Sequence, residues 1–198
     1  MRPISRSEIL EKGEYERMRP EMRRRVSVMK DRRRVLIGDH CSLHFENRDT
    51  MLYQIQEMLR TEGSWDRQGA VEEEIAAYNP IVPKAGELSA TLMFEYETAA
   101  ERAICLPNLV GIDRHLWLHI GTTPRLLARF DRGQIDDNKV SSVQYVKWTL
   151  SDEHRDLLRT DGVVVRIVID HPAYEAQAVL AESTRREIMN DPATSPMP

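Results

Sequence analysis

The stretch CSLHFENRDTMLYQIQEML, residues 41–59, joins two patterns of different period. Apolar and polar residues alternate from Cys41 to Glu46, which is typical of a strand with one buried face. From about Met51 to Glu62 the apolar residues recur at helical spacing, and Asp49 is a suitable N-cap. The stretch therefore predicts a strand that passes directly into an amphipathic helix.

The composition suits one folded domain. The chain has 198 residues, 41% of them hydrophobic and 30% charged, so it can bury a core. No apolar run approaches the roughly 18 residues of a membrane span, and residues 1–18 lack the apolar stretch of a signal peptide. Cys41 and Cys105 form no CxxC motif; a disulfide is possible on count alone, but we expect two buried free thiols. We predict a cytoplasmic protein with a single domain over residues 1–190 and a flexible tail over 191–198.

The rest of the chain predicts strands and helices that do not alternate regularly. The further predicted strands are residues 35–37, 88–97, 115–120, 126–130, 142–150 and 163–170. The further predicted helices are about 68–78, 99–109, 151–159 and 173–189, besides a basic helical region over about 1–34, in which Pro20 suits a first helical position. Several strands have one polar face, as in an antiparallel sheet that is covered on one side. We predict an α+β fold, a largely antiparallel sheet with helices packed mainly on one face.

The charge is unevenly distributed. Residues 17–34 hold nine Lys/Arg and two Asp/Glu, a local charge of +7, which leaves −11 for the remainder because the whole chain carries −4. Met22, Val26 and Met29 form a narrow apolar stripe in this basic helix. We expect the helix to contact an acidic protein surface, and we expect a homodimer. Nucleic-acid binding through Arg23 to Arg34 is the alternative, but interleaved aromatic residues and a recognised motif are lacking.

The histidines do not form a recognised metal motif. Two HxxxH pairs begin at His40 and His115, but both lie in predicted strands. Four residues of strand span about 13 Å, too far for one ion to bridge. A cross-strand set such as His44, Glu46 and His119 is the remaining arrangement. We predict no metal and no cofactor.

Several blocks of the sequence resemble a bacterial family, the domain of unknown function 3501. The blocks are FENRDTMLYQIQEMLRTE (45–62), EEEIAAYNPIVPKAGELSATLMFEYE (72–97), LVGIDR (109–114) and DHPAY (170–174). The resemblance covers nearly the whole chain, and it implies no activity that can be carried over. Genes of this family often lie beside genes for rubrerythrin-like proteins and iron–sulfur oxidoreductases. The resemblance therefore implies a link to redox metabolism or oxidative stress, with a redox protein as a partner.

Polar residues are most concentrated at the predicted strand–helix junction. The candidate ligand-binding residues are Glu46, Arg48, Gln56, Glu57 and, from a neighbouring strand, Glu95. The secondary candidates are Tyr53, Arg60, His171 and Tyr174. A well-capped helix with surface ion pairs explains the same residues without a site. Asp170 and His171 are adjacent on a predicted strand and point apart, so His171 is better interpreted as a cap of the last predicted helix.

The leading functional hypothesis is a non-enzymatic protein that binds a small ligand or assists a redox pathway. The alternative is a small enzyme that uses a carboxylate at the junction as an acid or base. The sequence has no GxSxG, P-loop or GxGxxG motif, so no nucleophile or nucleotide site points to a particular reaction.

Overall fold

A computed structural model describes residues 1–131, 138 and 140–192 of the protein. The helices in this part are α1 (Lys12–Arg33), α2 (Arg48–Glu62), α3 (Ala70–Tyr78), α4 (Ala99–Asn108), α5 (Asp152–Arg159) and α6 (Glu182–Ile188). The strands are β1 (Arg34–Leu36), β2 (Cys41–Glu46), β3 (Glu87–Phe94), β4 (Leu116–Ile120), β5 (Leu126–Leu127), β6 (Arg129–Phe130), β7 (Val143–Thr149), β8 (Val165–His171) and β9 (Tyr174–Val179). The predicted α+β fold is confirmed.

The strands form two antiparallel sheets whose apolar faces pack on each other. One sheet has the order β1-β2-β3-β7-β6 and the other the order β5-β4-β8-β9. Leu43, Phe45 and Trp148 of the first sheet share one core with Leu118 and Ile167 of the second. The predicted strand over residues 126–130 divides into β5 and β6, which belong to different sheets. Helices α1, α2 and α3 lie on the outer face of the five-stranded sheet, where a second apolar cluster forms.

The junction between β2 and α2 is closed by reciprocal hydrogen bonds. The Asn47 side chain accepts a bond from the Thr50 amide (2.9 Å), and the Thr50 hydroxyl accepts one from the Asn47 amide (3.0 Å). Asn47 is therefore the N-cap, and the predicted cap, Asp49, lies within the first helical turn. The helix ends at Gly63, whose positive φ of 61° suits a residue without a Cβ.

Helix α1 is continuous, and Pro20 lies inside it rather than at a first position as predicted. An internal proline costs a helix about 3 kcal/mol. Contacts on both sides of Pro20 offset this cost. Tyr15 and Arg19 bind Glu57 before it, and Val26 is buried after it.

The predicted helix over residues 173–189 is wrong in its first half. Residues 174–179 form β9, which pairs with β8 across the two-residue turn Pro172-Ala173. Alternate residues of β9 are exposed, so the segment follows the period of a strand although its Glu, Gln and Ala residues favour helices. His171 caps no helix; its Nδ1 accepts a hydrogen bond from the Ala173 amide within the turn (3.1 Å).

A buried ion pair joins α1 to the segment after α6. Arg33 is 2% exposed, and its guanidinium donates two hydrogen bonds to the Asp191 carboxylate (2.7 and 3.0 Å). It also donates to the carboxylate (3.2 Å) and the backbone carbonyl (3.3 Å) of Glu187. Asp191 and Pro192, which fall within the predicted tail, are buried. The other residues of that predicted tail, 193–198, lie outside the described residues.

We expect Asp191→Ala to lower the free energy of unfolding by about 3–5 kcal/mol, because it leaves the Arg33 charge buried without its main partner. Urea denaturation monitored by circular dichroism measures this change. The matched control is Glu73→Ala, which breaks the exposed pair with Arg67 and should leave the midpoint nearly unchanged. Equal small losses in both variants would contradict the structural role of the buried pair.

Candidate functional site

A pocket with a volume of about 430 Å³ lies on the outer face of the five-stranded sheet, under α1 and α2. We call it the sheet pocket. Its lining consists of Lys30, Asp31, Arg34, His44, Glu46, Met51, Gln54, Tyr78, Thr91, Met93, Val143 and Tyr145. Its volume falls within the range of roughly 300–1,000 Å³ that is typical of small-molecule sites.

Strand register brings the polar residues of the pocket together. His44 of β2 pairs with Thr91 of β3, and Thr91 pairs with Tyr145 of β7. Side chains directly opposite each other on neighbouring strands have Cβ atoms about 4.5–5.5 Å apart. The three side chains thus form one row across the outer face, with Glu46 in the next row.

Glu46 differs from the other buried acids of the described residues. Its side chain accepts hydrogen bonds from the Thr50 and Thr91 hydroxyls (2.5 and 2.8 Å), and the residue is 5% exposed. Within residues 1–131, 138 and 140–192, no cation lies within ion-pair distance of Glu46. The other two buried acids, Glu87 and Asp191, have Lys or Arg partners. A buried carboxylate is ordinarily paired, so Glu46 is an unusual group for a pocket wall.

His44 takes part in a chain of hydrogen bonds along the edge of the sheet pocket. The Ser42 hydroxyl donates to Glu95 (2.6 Å), so it accepts from Nε2 of His44 (3.0 Å). Arg34 in turn donates to Glu95. Burial lowers the pKa of His44 below its ordinary 6.5, so the imidazole is neutral at pH 7. Its Nδ1 then carries a lone pair.

Two tyrosines, Tyr78 of α3 and Tyr145 of β7, also line the sheet pocket. Tyr78 lies close to both Tyr145 and Gln54. Burial raises the pKa of Tyr145 to about 12, with Glu46 adding to the rise, and burial also raises the pKa of Tyr78. Both phenols are therefore neutral at physiological pH and present hydroxyl groups and aromatic surface.

The comparisons with known proteins agree with this fold. A family model described as "Protein of unknown function (DUF3501)" matches residues 3–192. The chain belongs to the DUF3501 family. The crystal structure of a novel protein of unknown function from Burkholderia pseudomallei K96243 is similar, with 33% identity and a TM-score of 0.88. That similarity covers 96% of this chain and 99% of the other. A search of curated proteins found no match.

Two of the predicted site residues of this DUF3501 protein lie at the sheet pocket. Glu46 lines the pocket. Glu95 lies at its edge, where it pairs with the lining residue Arg34 and accepts a hydrogen bond from Ser42. Arg48 turns away, since its guanidinium pairs with Glu8 and donates to the Arg2 carbonyl.

Three other candidates belong to the contact between α1 and α2. Glu57 accepts hydrogen bonds from Arg19 (2.7 and 2.8 Å) and from the buried Tyr15. The Arg19 hydrogen bonds lower the pKa of Glu57 to about 2. Arg60 pairs with Glu16 (2.9 Å), and Tyr53 lies close to Glu57. These residues join two helices and do not face the sheet pocket.

Tyr174 and His171 contribute to the structure at the other sheet. The Tyr174 hydroxyl donates to the Ile37 carbonyl (2.6 Å) and accepts from the His40 amide (3.2 Å), which ties β9 to the β1–β2 turn. Gly38 in that turn has a φ of 69°, and a Cβ there would lie 2.8 Å from the Tyr174 hydroxyl oxygen. Nε2 of His171 lies 3.1 Å from the Val110 carbonyl oxygen.

The basic stretch makes its observed contacts within the chain. Val26 is buried, and the Met29 sulfur accepts a hydrogen bond from Asn47. Arg19, Arg25, Arg33 and Arg34 form ion pairs with acids of the same chain. The apolar stripe is therefore no argument for a second subunit, and the homodimer stays a prediction.

No metal cluster is found in the part of the chain that the structure describes. His44 and His119 lie on different sheets, so the cross-strand set with Glu46 does not form. Cys41 and Cys105 are free thiols, as predicted, but only Cys41 is buried, and Cys105 is half-buried. Burial raises the pKa of Cys41. None of the described helices has the length and apolar character needed to cross a membrane.

Gln56 is buried, and neither polar atom of its side chain has a hydrogen-bond partner among the described residues. We expect Gln56→Met, which keeps the side-chain length, to raise the free energy of unfolding by about 1–3 kcal/mol, because it removes an unsatisfied amide. Chemical denaturation measures the change. A loss of stability would show that the amide has a structural role.

The lowered pKa of His44 predicts a pH dependence of stability. As the pH falls through 6.5, the unfolded chain takes up a proton on His44 before the folded protein does, so stability declines. His44→Gln should remove this part of the decline. Unfolding free energies at pH 7.5 and 5.5 test the change, and an identical decline in the variant would contradict it.

Proposed function

We propose that this DUF3501 protein binds a small polar ligand in the sheet pocket. The observation that carries the proposal is the position of Glu46, the buried acid without a cationic partner among the described residues, on the wall of that pocket. Burying such a group costs stability, and residues that cost stability are commonly retained for binding or catalysis. Neutral phenols and a neutral imidazole surround it, which gives the pocket several hydrogen-bonding groups of fixed character.

The biological setting within this proposal is redox metabolism or the response to oxidative stress. It rests on the resemblance to the family, whose genes often lie beside those of redox proteins. In this setting the protein is a non-enzymatic accessory that holds a ligand. A redox-protein partner, a homodimer and a cytoplasmic location belong to the same proposal.

A small enzyme is the second candidate, because His44 and Glu46 line the same pocket. His44 is neutral, and its Nε2 is hydrogen-bonded to Ser42, so Nδ1 has a lone pair that can accept a proton from a substrate. Turnover of the retained compound distinguishes the two candidates. An enzyme should lose turnover in His44→Gln while it keeps binding, whereas a binding protein should release the compound chemically unchanged.

We expect the native protein, incubated with a small-molecule extract of bacterial cells and then washed, to retain a compound that mass spectrometry detects. A ligand at 100 times its dissociation constant stabilises a protein by about 2.7 kcal/mol, so thermal unfolding should shift upward. Met93→Trp places a larger side chain in the pocket and should abolish both effects.

The matched control is Val179→Trp, on an exposed edge strand of the other sheet (Val179 is 59% exposed). It should retain the compound as the native protein does. Retention of the same compound by Met93→Trp, or failure of the native protein to retain any, would contradict binding in the sheet pocket.

A further inference from the structure

We infer that the ligand of the sheet pocket carries a positively charged amino group that binds to Glu46, beside Tyr78 and Tyr145. The inference rests on the proposed function and adds the chemical class of the ligand. An amine, and not an acid or a neutral alcohol, is the group that the wall of the pocket is built to recognise.

The hydrogen bonds of Glu46 leave room for a ligand donor. One side-chain oxygen accepts from Thr50 and the other from Thr91. A carboxylate offers about four acceptor positions, so two stay available. Both threonines are neutral donors and supply no charge. An ammonium group supplies the missing charge and up to three N–H donors at once.

The neighbours of Glu46 also suit a cation. Tyr78 and Tyr145 place aromatic rings in the lining, and aromatic faces attract ammonium groups. The thioethers of Met51 and Met93 add polarizable surface. The two phenols are neutral, as their raised pKa values require, and their hydroxyl oxygens can accept hydrogen bonds.

The cations of the lining do not favour an anion at the strand wall of the pocket. Arg34 binds Glu95, so its charge is already compensated. Lys30 has no ion-pair partner among the described residues, and it lies on the side of the pocket formed by α1. An anionic group of a ligand at the strand wall would lie close to the Glu46 carboxylate, and the two negative charges would repel each other. A negative group on the ligand is therefore compatible only with the side formed by α1.

Three probes with the same four-carbon chain test the inference: butylamine, butanol and butyrate. The readout is the methyl resonances of Met51 and Met93 in protein labelled with ¹³C-methyl methionine, assigned with Met51→Leu and Met93→Leu. Butylamine should shift both resonances and bind at least tenfold more tightly than either other probe. Binding of butylamine should weaken at least tenfold in Glu46→Gln, which removes the charge but keeps the side-chain size and one oxygen that accepts from a threonine; the amide nitrogen has to donate to the other threonine.

The matched control is Asp31→Asn, which removes a different acid of the same lining and should leave butylamine binding within about twofold. If Glu46→Gln does not fold, the order of the three probes on the native protein still decides. Butanol or butyrate binding as tightly as butylamine, or undiminished butylamine binding by Glu46→Gln, would overturn the inference and leave the proposed function standing. If none of the probes shifts Met51 or Met93, the inference is overturned, and the extract experiment decides separately on the proposed function.

Discussion

The structure of this DUF3501 protein depends on the three residues at which β2 ends and α2 begins. Asn47 and Thr50 cap each other, and the Thr50 hydroxyl also donates to Glu46, the last residue of the strand. These bonds fix the position of α2 relative to the outer face of the sheet. Since α2 supplies Met51 and Gln54 to the sheet pocket, the same bonds that end the strand also shape the pocket.

The hydrophobic periodicity of the sequence predicted this junction well, because the spacing of apolar residues changes from that of a strand to that of a helix there. The alternation of apolar and polar residues in β2 and the apolar stripe of α2 are local signals, and each element has the predicted type. The expectation of a single buried face for β2 was wrong, because helices α1 and α2 cover its polar face as well. The errors occurred where tertiary contacts outweigh local preference. Pro20 is tolerated in α1 because the helix is anchored on both sides, and β9 is a strand because it can pair with β8.

The site was only partly predictable, for a geometric reason. A helix turns by about 100° per residue, so the polar residues of α2 point in several directions, and Glu57 contacts α1 while Gln54 lines the pocket. Thr91 and Tyr145 were missed because their meeting with His44 depends on the register of three strands far apart in sequence. The signal was present, since all three occupy the outward positions of their strands, but without the register it could not be used.

The contrast among the buried acids explains why Glu46 points to function and the others do not. Asp191 is neutralised by Arg33, and Glu87 by Lys147 and Arg129. The chain has 28 Lys and Arg residues, so a shortage of basic residues does not explain why none lies beside Glu46 in the described structure. A buried carboxylate gains most from a counter-ion, and stability alone would favour placing one there. A buried acid that has only neutral partners among the described residues, on the wall of a pocket of ligand size, is instead what we expect when the ligand itself brings the positive charge.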